Sequence, residues 1–538
     1  MTYILAYDVG TTGIKTCLFE LNGQIHQAAA SNFGYGLYEV GDGGVEQHFD
    51  EWWEAMKITT QNVLERSLVD PSEIAGISFC SQMQGLVLVD EKGIPVRNPM
   101  SYMDQRGKVQ IQKYMRGGLE IAGGNIVKLL KCLKYTGAAP VSVKDPVWKY
   151  KWVEENEPEP FARAYKWLDI KESIIARCTG ECVMTEDSAF STLLYDPKAR
   201  DWAWPVVDMF GVKRDHLARI IKTTDVAGYL TEEAAHQLGL TPGTKVFGGG
   251  GDATLIGVGA GCVKEGDTHI YSGTSGWVST IVSKQTVDTS TMIAAIVGCE
   301  DGLYNYFAEM ETAGKCLEWV KDHLALDEID IYLNKADITT KTESEFVYKS
   351  LYEYMTEIVK KIPAGSGGVL FTPWLHGNRC PFEDPNACGT FFGITMNTGK
   401  TELIRAVLEG VCYHLRWMLE CEAAKVKTSD TIRFCGGGAL SDVTCQILSD
   451  MTGRRVEVVD NPQDVGAVGA ACTAAAGLGL VNSMQDIASL VPVEKSFEPN
   501  LENKKIYDSY FKVFKRLYRD NKANLAQLDR ARKAAGIS

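Results

Sequence analysis

The chain lacks a second closely spaced cysteine pair. Its 15 cysteines are scattered over 538 residues, and only Cys178 and Cys182 lie near one another, in Cys178-Thr-Gly-Glu-Cys182. Zinc modules are built from two such pairs, so the pattern excludes one and suits reduced, mostly buried thiols in the cytosol. Positive charge is also short: 55 Lys and Arg against 69 Asp and Glu leave a formal charge of −14. A phosphate backbone needs a basic footprint, so no nucleic-acid partner is expected. No apolar run reads as a membrane span. Val465 to Val481 carries no charge but is mostly Ala and Gly, which suits a buried helix lying close on a sheet. Strand pattern begins at once, and Asp8 interrupts any apolar core of a signal peptide. The expectation is a cytoplasmic protein without a membrane partner.

Two familiar nucleotide signatures are incomplete as well. Gly393-Ile-Thr-Met-Asn-Thr-Gly399-Lys400-Thr401 has one residue too many between its glycines for a P-loop, and reads as a loop and helix start. Gly257-Val-Gly259-Ala-Gly261-Cys262 places Cys262 where the third glycine of a dinucleotide fingerprint belongs. It reads as a tightly packed strand–helix junction.

What is present is a set of glycine- and hydroxyl-bearing turns. Tyr3 to Phe19 holds two apolar runs flanking a turn with Asp8, Gly10, Thr11, Thr12 and Gly13. Glycines bring backbone N–H groups close to a bound group, the hydroxyls add donors, and Asp8 is expensive to bury unless a cation or donors satisfy it. Phosphate with Mg²⁺ would satisfy all of them; an ordinary hairpin with an Asp-initiated turn is the alternative. A second such turn, Gly273-Thr274-Ser275-Gly276, lies between strand-like runs from His269 to Ile281. A third element runs from the strand-like Ile432-Arg-Phe-Cys435 into Gly436-Gly437-Gly438, with a helix-like stretch from Ser441 to Thr452. A glycine turn at a helix start suits a nucleotide. Lys245-Val-Phe-Gly-Gly-Gly-Gly-Asp252 follows an apolar strand end with four glycines and a carboxylate. Asp252 reads as a helix N-cap and, compatibly, as a carboxylate that orients and deprotonates a substrate hydroxyl, where positioning dominates.

These elements stand in one order. Asp8-Val-Gly-Thr-Thr-Gly13, Val45-Glu-Gln47, Ser81-Gln-Met-Gln-Gly85, Tyr102-Met-Asp104-Gln-Arg106, Lys149-Tyr-Lys-Trp152 and Gly249-Gly-Gly-Asp252 fill the first half. Ser272-Gly-Thr-Ser-Gly276, Pro373 to Arg379, Arg405 to Gly410 and Gly436-Gly-Gly-Ala439 fill the second. Over nearly its whole length the chain resembles the FGGY carbohydrate kinases, in their xylulokinase-like branch. The resemblance implies an α/β, actin-like ATPase fold of two ribonuclease-H-like domains flanking a deep cleft. The sugar-binding domain would span 1–261 and the ATP-binding domain 262–538. It implies ATP as phosphoryl donor and Mg²⁺ near Asp8, with Gly10, Thr11 and Thr12 approaching the γ-phosphate. Gly273 and Thr274 would make a second phosphate contact, Gly437 and Gly438 would hold adenosine, and Asp252 would be the catalytic base. Lys15 would either add charge to the phosphates or lie on an exposed strand face.

Met83, Gln84, Tyr102, Asp104 and Asp252 are the residues expected to meet the sugar. An Arg-Glu pair stands at the Met83-Gln84 positions in glycerol-using relatives, which argues against glycerol. Gln84 replaces the His usual in xylulokinases, Tyr102 replaces a Trp, and Asn378 replaces a Glu beside Arg379. The expected reaction moves the γ-phosphoryl group to a terminal hydroxyl of a ketopentose, D-xylulose first, with ribulose or erythritol as alternatives. A non-enzymatic actin-like nucleotide-binding regulator is the alternative outside that class. Relatives are often dimers, so a homodimer is among the possible assemblies. The segment from Lys113 to Asp145 reads as an excursion from the first domain, a lid or a subunit contact.

Overall fold

The computed structural model describes residues 2–121, 123–324 and 351–536. Its first sheet grows from the run that opens the chain. Strand β1 (Thr2–Val9) is buried from Ile4 through Tyr7, as a strand covered on both faces must be. It pairs antiparallel with β2 (Gly13–Asn22), and β2 with β3 (Gln24–Gly34). Helix α1 (Phe49–Ser67) buries Trp52, Trp53, Met56 and Val63 and is pinned to the sheet by the hydroxyl pairs Tyr7–Thr60 and Thr16–Thr59, each 2.7 Å. Strand β4 (Ile74–Ser81) lies parallel to β1 on its other side. Beyond it come β5 (Val226–Tyr229) and β6 (Lys245–Phe247), and the short β7 (Gly250–Gly251) also pairs β4, giving the order β5-β6-β4-β1-β2-β3. Helix α2 (Asp252–Gly259) leaves directly from β7.

A second sheet repeats the plan. Strands β8 (Thr268–Ser272) and β9 (Gly276–Val282) form its antiparallel hairpin. The edge continues through β10 (Val287–Asp288), β11 (Ile293–Val297) and β12 (Tyr304–Met310). Helix α3 (Lys400–Ala423) precedes β13 (Thr431–Cys435), which is parallel to β8, and helix α4 (Asp442–Thr452) precedes β14 (Arg455–Val459), parallel to β13. The order is β10-β11-β12-β9-β8-β13-β14-β15, with the antiparallel β15 (Val493–Phe497) closing the far edge. In both sheets antiparallel hairpin strands are followed by two parallel neighbours and an antiparallel edge. This is the ribonuclease-H-like sheet, present twice, as in the actin-like ATPase fold.

The chain divides into two compact units. One comprises Met1–Val263, Ile296–Tyr304 and Asp464–Pro492; the other comprises Lys264–Ala295, Asn305–Gln463 and Val493–Ser538. Residues 464–492 lie on the second side of the 261/262 boundary read from the sequence, yet they pack with the first unit. The reason is helix α5 (Val465–Gly477), buried from Val465 through Ala475 and packed on α2, β1 and β4. Its approach to α2 requires glycine on both sides. A Cβ on Gly259 would lie 1.9 Å from the Val465 carbonyl oxygen, and one on Gly469 would lie 2.1 Å from that of Leu255. The Gly257–Gly261 segment is therefore the end of a helix rather than a strand–helix junction, with Gly261 left-handed at φ 76° just beyond it. Helix α6 (Leu501–Ala534) buries Tyr507, Phe511, Phe514 and Tyr518. Among the described residues no helix is long and apolar enough to cross a membrane.

Candidate active site

Strand register gathers one set of expected residues in the first unit. Asp8 of β1 is level with Cys80 of β4, and Cys80 is level with Gly250 of β7. The ends of three adjacent strands, with neighbours roughly 4.8 Å apart, thus carry Asp8, then Ser81 leading to Gln82-Met83-Gln84, then Gly251 leading to Asp252. Cys80 is buried between the two acids. Burial pushes its thiol pKa well up, and the charges of Asp8 and Asp252 add to the rise. Asp252 is partly exposed at the first position of α2, where its Oδ1 accepts from the Ala253 N–H at 2.8 Å.

The four glycines before Asp252 are there for close approach. A Cβ on Gly249, which is left-handed at φ 61°, would lie 2.0 Å from the Phe79 carbonyl oxygen. One on Gly251 would lie 2.1 Å from the Met83 sulfur, so Met83 rests directly on the residue preceding Asp252.

The Gly10–Gly13 turn has its acceptors occupied. Gly10 O receives Tyr35 Oη and Gln82 Nε2, Thr11 O receives Gln47 Nε2, Thr12 O receives the Tyr35 N–H, and Gly13 O receives the Gly10 N–H. What such a turn offers a ligand is donors, which suits an anion. Asp8 beside it is held above the usual carboxylate range by burial, with Asp464 adding to the rise and Lys15 opposing it. Lys15 is paired with Asp464 at 2.5 Å. Burial works against its charge, but Asp464 and Asp8 hold its pKa above the ordinary lysine value. Lys15 is thus a half-buried partner of an acid from the start of α5.

The sugar-side candidates differ in what they can offer. Gln84 is half-buried and left-handed at φ 63°. Its N–H and that of Gly85 donate to the two carboxylate oxygens of Asp169, at 3.0 and 2.9 Å, while its carbonyl accepts from Lys149 Nζ at 2.7 Å. Backbone held on both sides leaves the amide side chain to act. Lys149 is fully buried, and burial lowers its pKa to about 8 against the pull of Asp104, Asp169 and Asp145. Tyr102 keeps 37% of its surface exposed. Asp104 is fully buried and accepts from Val45 N, Arg106 N, Arg106 Nε and Arg106 Nη2. The structure places Asp104 in the frame of the turn rather than on its face.

In the second unit the Gly273–Gly276 turn repeats the acceptor pattern. Ser275 O takes the Gly273 N–H, Gly273 O takes the Gly314 N–H, and Thr274 O takes the N–H groups of Ala313 and Lys315. Thr274 is exposed at the tip. Gly436 is left-handed at φ 87°, and a Cβ there would lie 2.6 Å from Ser272 O. Gly437 is exposed, with nothing within 4 Å of its Cβ position. Ser441 caps α4 by accepting from the Thr444 N–H at 3.2 Å. Asn378 is buried and donates to the carbonyls of Cys380 and Phe382, at 3.1 and 2.9 Å, which a Glu at that position has no N–H to do.

Family models decide what this arrangement is. The model described as the N-terminal domain of the FGGY family of carbohydrate kinases matches residues 3–259, and that of the C-terminal domain matches residues 269–478. The chain belongs to the FGGY family. It is a phosphotransferase with an alcohol group as acceptor. It is 28% identical over 522 residues to a gluconokinase of Bacillus subtilis (strain 168), with 96% of each chain covered. It is 27% identical over 526 residues to a xylulose kinase of Staphylococcus epidermidis, with 98% of each covered. Among solved structures it resembles ligand-bound xylulose kinase from Lactobacillus acidophilus, with TM-score 0.81 and 26% identity over 98% of this chain and 100% of that one. It is equally similar to gluconate kinase from the same organism, with TM-score 0.81 and 25% identity over 98% and 99%.

Sequence reasoning on this FGGY chain missed Asp464, Asp169 and Asp187 as site residues, and met Gln47, Gln82 and Lys149 only as landmarks. Asp169 had a local signal, an acid between the apolar Trp167-Leu168 and a helical run. Asp464 and Asp187 had none, because their partners Lys15 and Gly251 are distant in sequence.

Proposed function

We propose that the protein is an ATP-dependent kinase of a ketopentose, D-xylulose first, transferring the γ-phosphoryl group to a terminal hydroxyl. The observation that carries this is the register placing Asp8, the Gln82–Gln84 turn and Asp252 on three neighbouring strand ends. In this reading Asp252 accepts the hydroxyl proton as the phosphoryl group transfers, a step that depends more on position than on basicity. Thr11 and Thr12 donate to the γ-phosphate from the turn that the Gly10 N–H closes on the Gly13 carbonyl. Gly273 and Thr274 take a second phosphate contact, and Gly437 with Gly438 lies against the adenosine.

Mg²⁺ would be held by Asp8 and, when bound, would offset charge on the transferring group. A carboxylate that burial and Asp464 hold above its usual range suits a cation. Among the described residues no cluster of three or more His, Cys, Asp or Glu forms a metal cage, and Mg²⁺ on phosphate oxygens and water needs only one or two carboxylates.

Met83, the Gln84 amide and Tyr102 contact the sugar, and Asp104 frames them. A second reading, gluconate, is favoured by the similar identity to a gluconokinase. Against it stand Arg106 and Lys149. Arg106 is bound to Asp104 and Glu46, and Lys149 is buried on the Gln84 carbonyl. A carboxylate substrate would have to draw one of them away. The test is ADP release, coupled to NADH oxidation, over D-xylulose, D-ribulose, erythritol, D-gluconate and glycerol. D-xylulose is expected to give the highest kcat/KM; gluconate leading by tenfold or more would replace the ketopentose reading.

A further inference from the structure

Beneath the two substrate-side turns of the first unit lies a set of buried charges that the proposed chemistry does not use. Lys171 and Glu172 are fully buried near the start of the helix Ile170–Thr179, and Asp169 and Asp187 are each 2% exposed. Lys171 Nζ is bonded to Glu172 and donates to Thr185 Oγ1 at 2.6 Å; Thr185 Oγ1 donates onward to Asp187 Oδ1 at 2.6 Å. The other oxygen of Asp187 accepts from the Gly251 N–H at 2.7 Å. One residue before this helix, Asp169 takes the N–H groups of Gln84 and Gly85.

Burying so many charges is weak evidence for stability, since well-packed apolar residues often do as well. The geometry has a different consequence. Two of these carboxylates grip backbone N–H groups on the two turns that flank the proposed substrate, and both belong to one buried network.

We propose that Asp187, anchored by Lys171, is a positioning residue for the base. It fixes the Gly251 N–H and with it the first residue of α2, Asp252, relative to the Met83-Gln84 turn that Asp169 holds. The neighbouring contact fits this role, because Met83 lies against the Cα of Gly251 and any drift of β7 would move the two turns apart. Misplacing a reacting group by about 1 Å can cost on the order of 100-fold in rate. The inference rests on Asp252 being the base, and the experiment separates the two.

Asp187→Asn, Asp187→Ala and Lys171→Met are made in the wild-type and Asp252→Asn backgrounds, and kcat and KM are measured with the best sugar of the panel beside thermal melting by circular dichroism. Asp187→Ala is expected to lower kcat about 10- to 100-fold, with KM for sugar and ATP within about threefold. Asp187→Asn, which keeps an acceptor for Gly251, should recover part of the loss, and Lys171→Met should resemble Asp187→Ala. In the Asp252→Asn background none should lower the residual rate further, because effects through one group do not add. An equal fold-loss in both backgrounds, an unchanged kcat in a folded Asp187→Ala protein, or loss of cooperative melting in every variant would overturn the proposal. Near-normal turnover by Asp252→Asn alone would instead remove the base on which it rests.

Discussion

Lys15 and Asp104 carry the same lesson from opposite signs. Each is a charged residue inside a motif, and each has its charge matched within the first unit, by Asp464 and by Arg106. A sequence shows that a charge is present at a turn; only the fold shows whether it is already answered. Asp8 and Asp252 are both partly exposed, one beside the acceptor-occupied turn and one at the end of the glycine run. The buried histidines are a further case that sequence left silent. His414 is fully enclosed: its Nε2 lies 2.7 Å from the Cys380 carbonyl and its Nδ1 receives the Trp374 indole N–H at 3.1 Å. That pairing needs a neutral ring protonated on Nε2, and burial lowers the pKa to about 4 from 6.5. The folded pKa lies below the unfolded one, so the unfolded chain binds the extra proton. The contribution is complete above about pH 6.5 and is lost as pH falls toward 4. The melting temperature should therefore drop between pH 7 and pH 5, and His414→Gln should drop less over the same interval, even if it starts lower. Parallel pH slopes for the two proteins would refute this assignment.

At the scale of elements, the two hairpin turns are the most legible features, because glycine, hydroxyl and flanking apolar runs are all local. The helix Asp442–Thr452 and the start of Lys400–Ala423 were legible from their patterns for the same reason. The Gly257–Gly261 segment was not. Its glycines answer a helix more than 200 positions later in the sequence, so no local pattern distinguishes a helix packed through its own backbone from a junction. That contact makes a sharp prediction. Gly469→Ala would set a methyl group against the Leu255 carbonyl, at 2.1 Å before relaxation. Overpacking of this kind costs about 1–3 kcal/mol, so the melting temperature should fall by several degrees, roughly 2–4 °C per kcal/mol in a domain of this size. An unchanged melting temperature would mean that α2 and α5 are not held at this distance.

At the scale of the whole molecule, the class of fold was visible in the order of motifs, whereas the membership of each unit was not. The chain returns to the first unit at Asp464–Pro492. A fragment of residues 1–263 would leave the α5-covered face of β1 and β4 in water and is expected not to melt cooperatively. A sharp, reversible transition for that fragment, followed by circular dichroism, would contradict the packing described for α5. The substrate was the least legible property, since Gln84 and Tyr102 depart from the family pattern and relatives at equal distance carry the names of two different sugar kinases.

The claim that supports the rest is that Asp252 takes the sugar's proton, and one measurement meets it directly. Sugar-dependent ADP release by Asp252→Asn, beside nucleotide affinity by calorimetry, should show turnover reduced by about 10²- to 10⁴-fold with nucleotide affinity largely kept. Turnover within a few-fold of the unmodified enzyme would contradict the account.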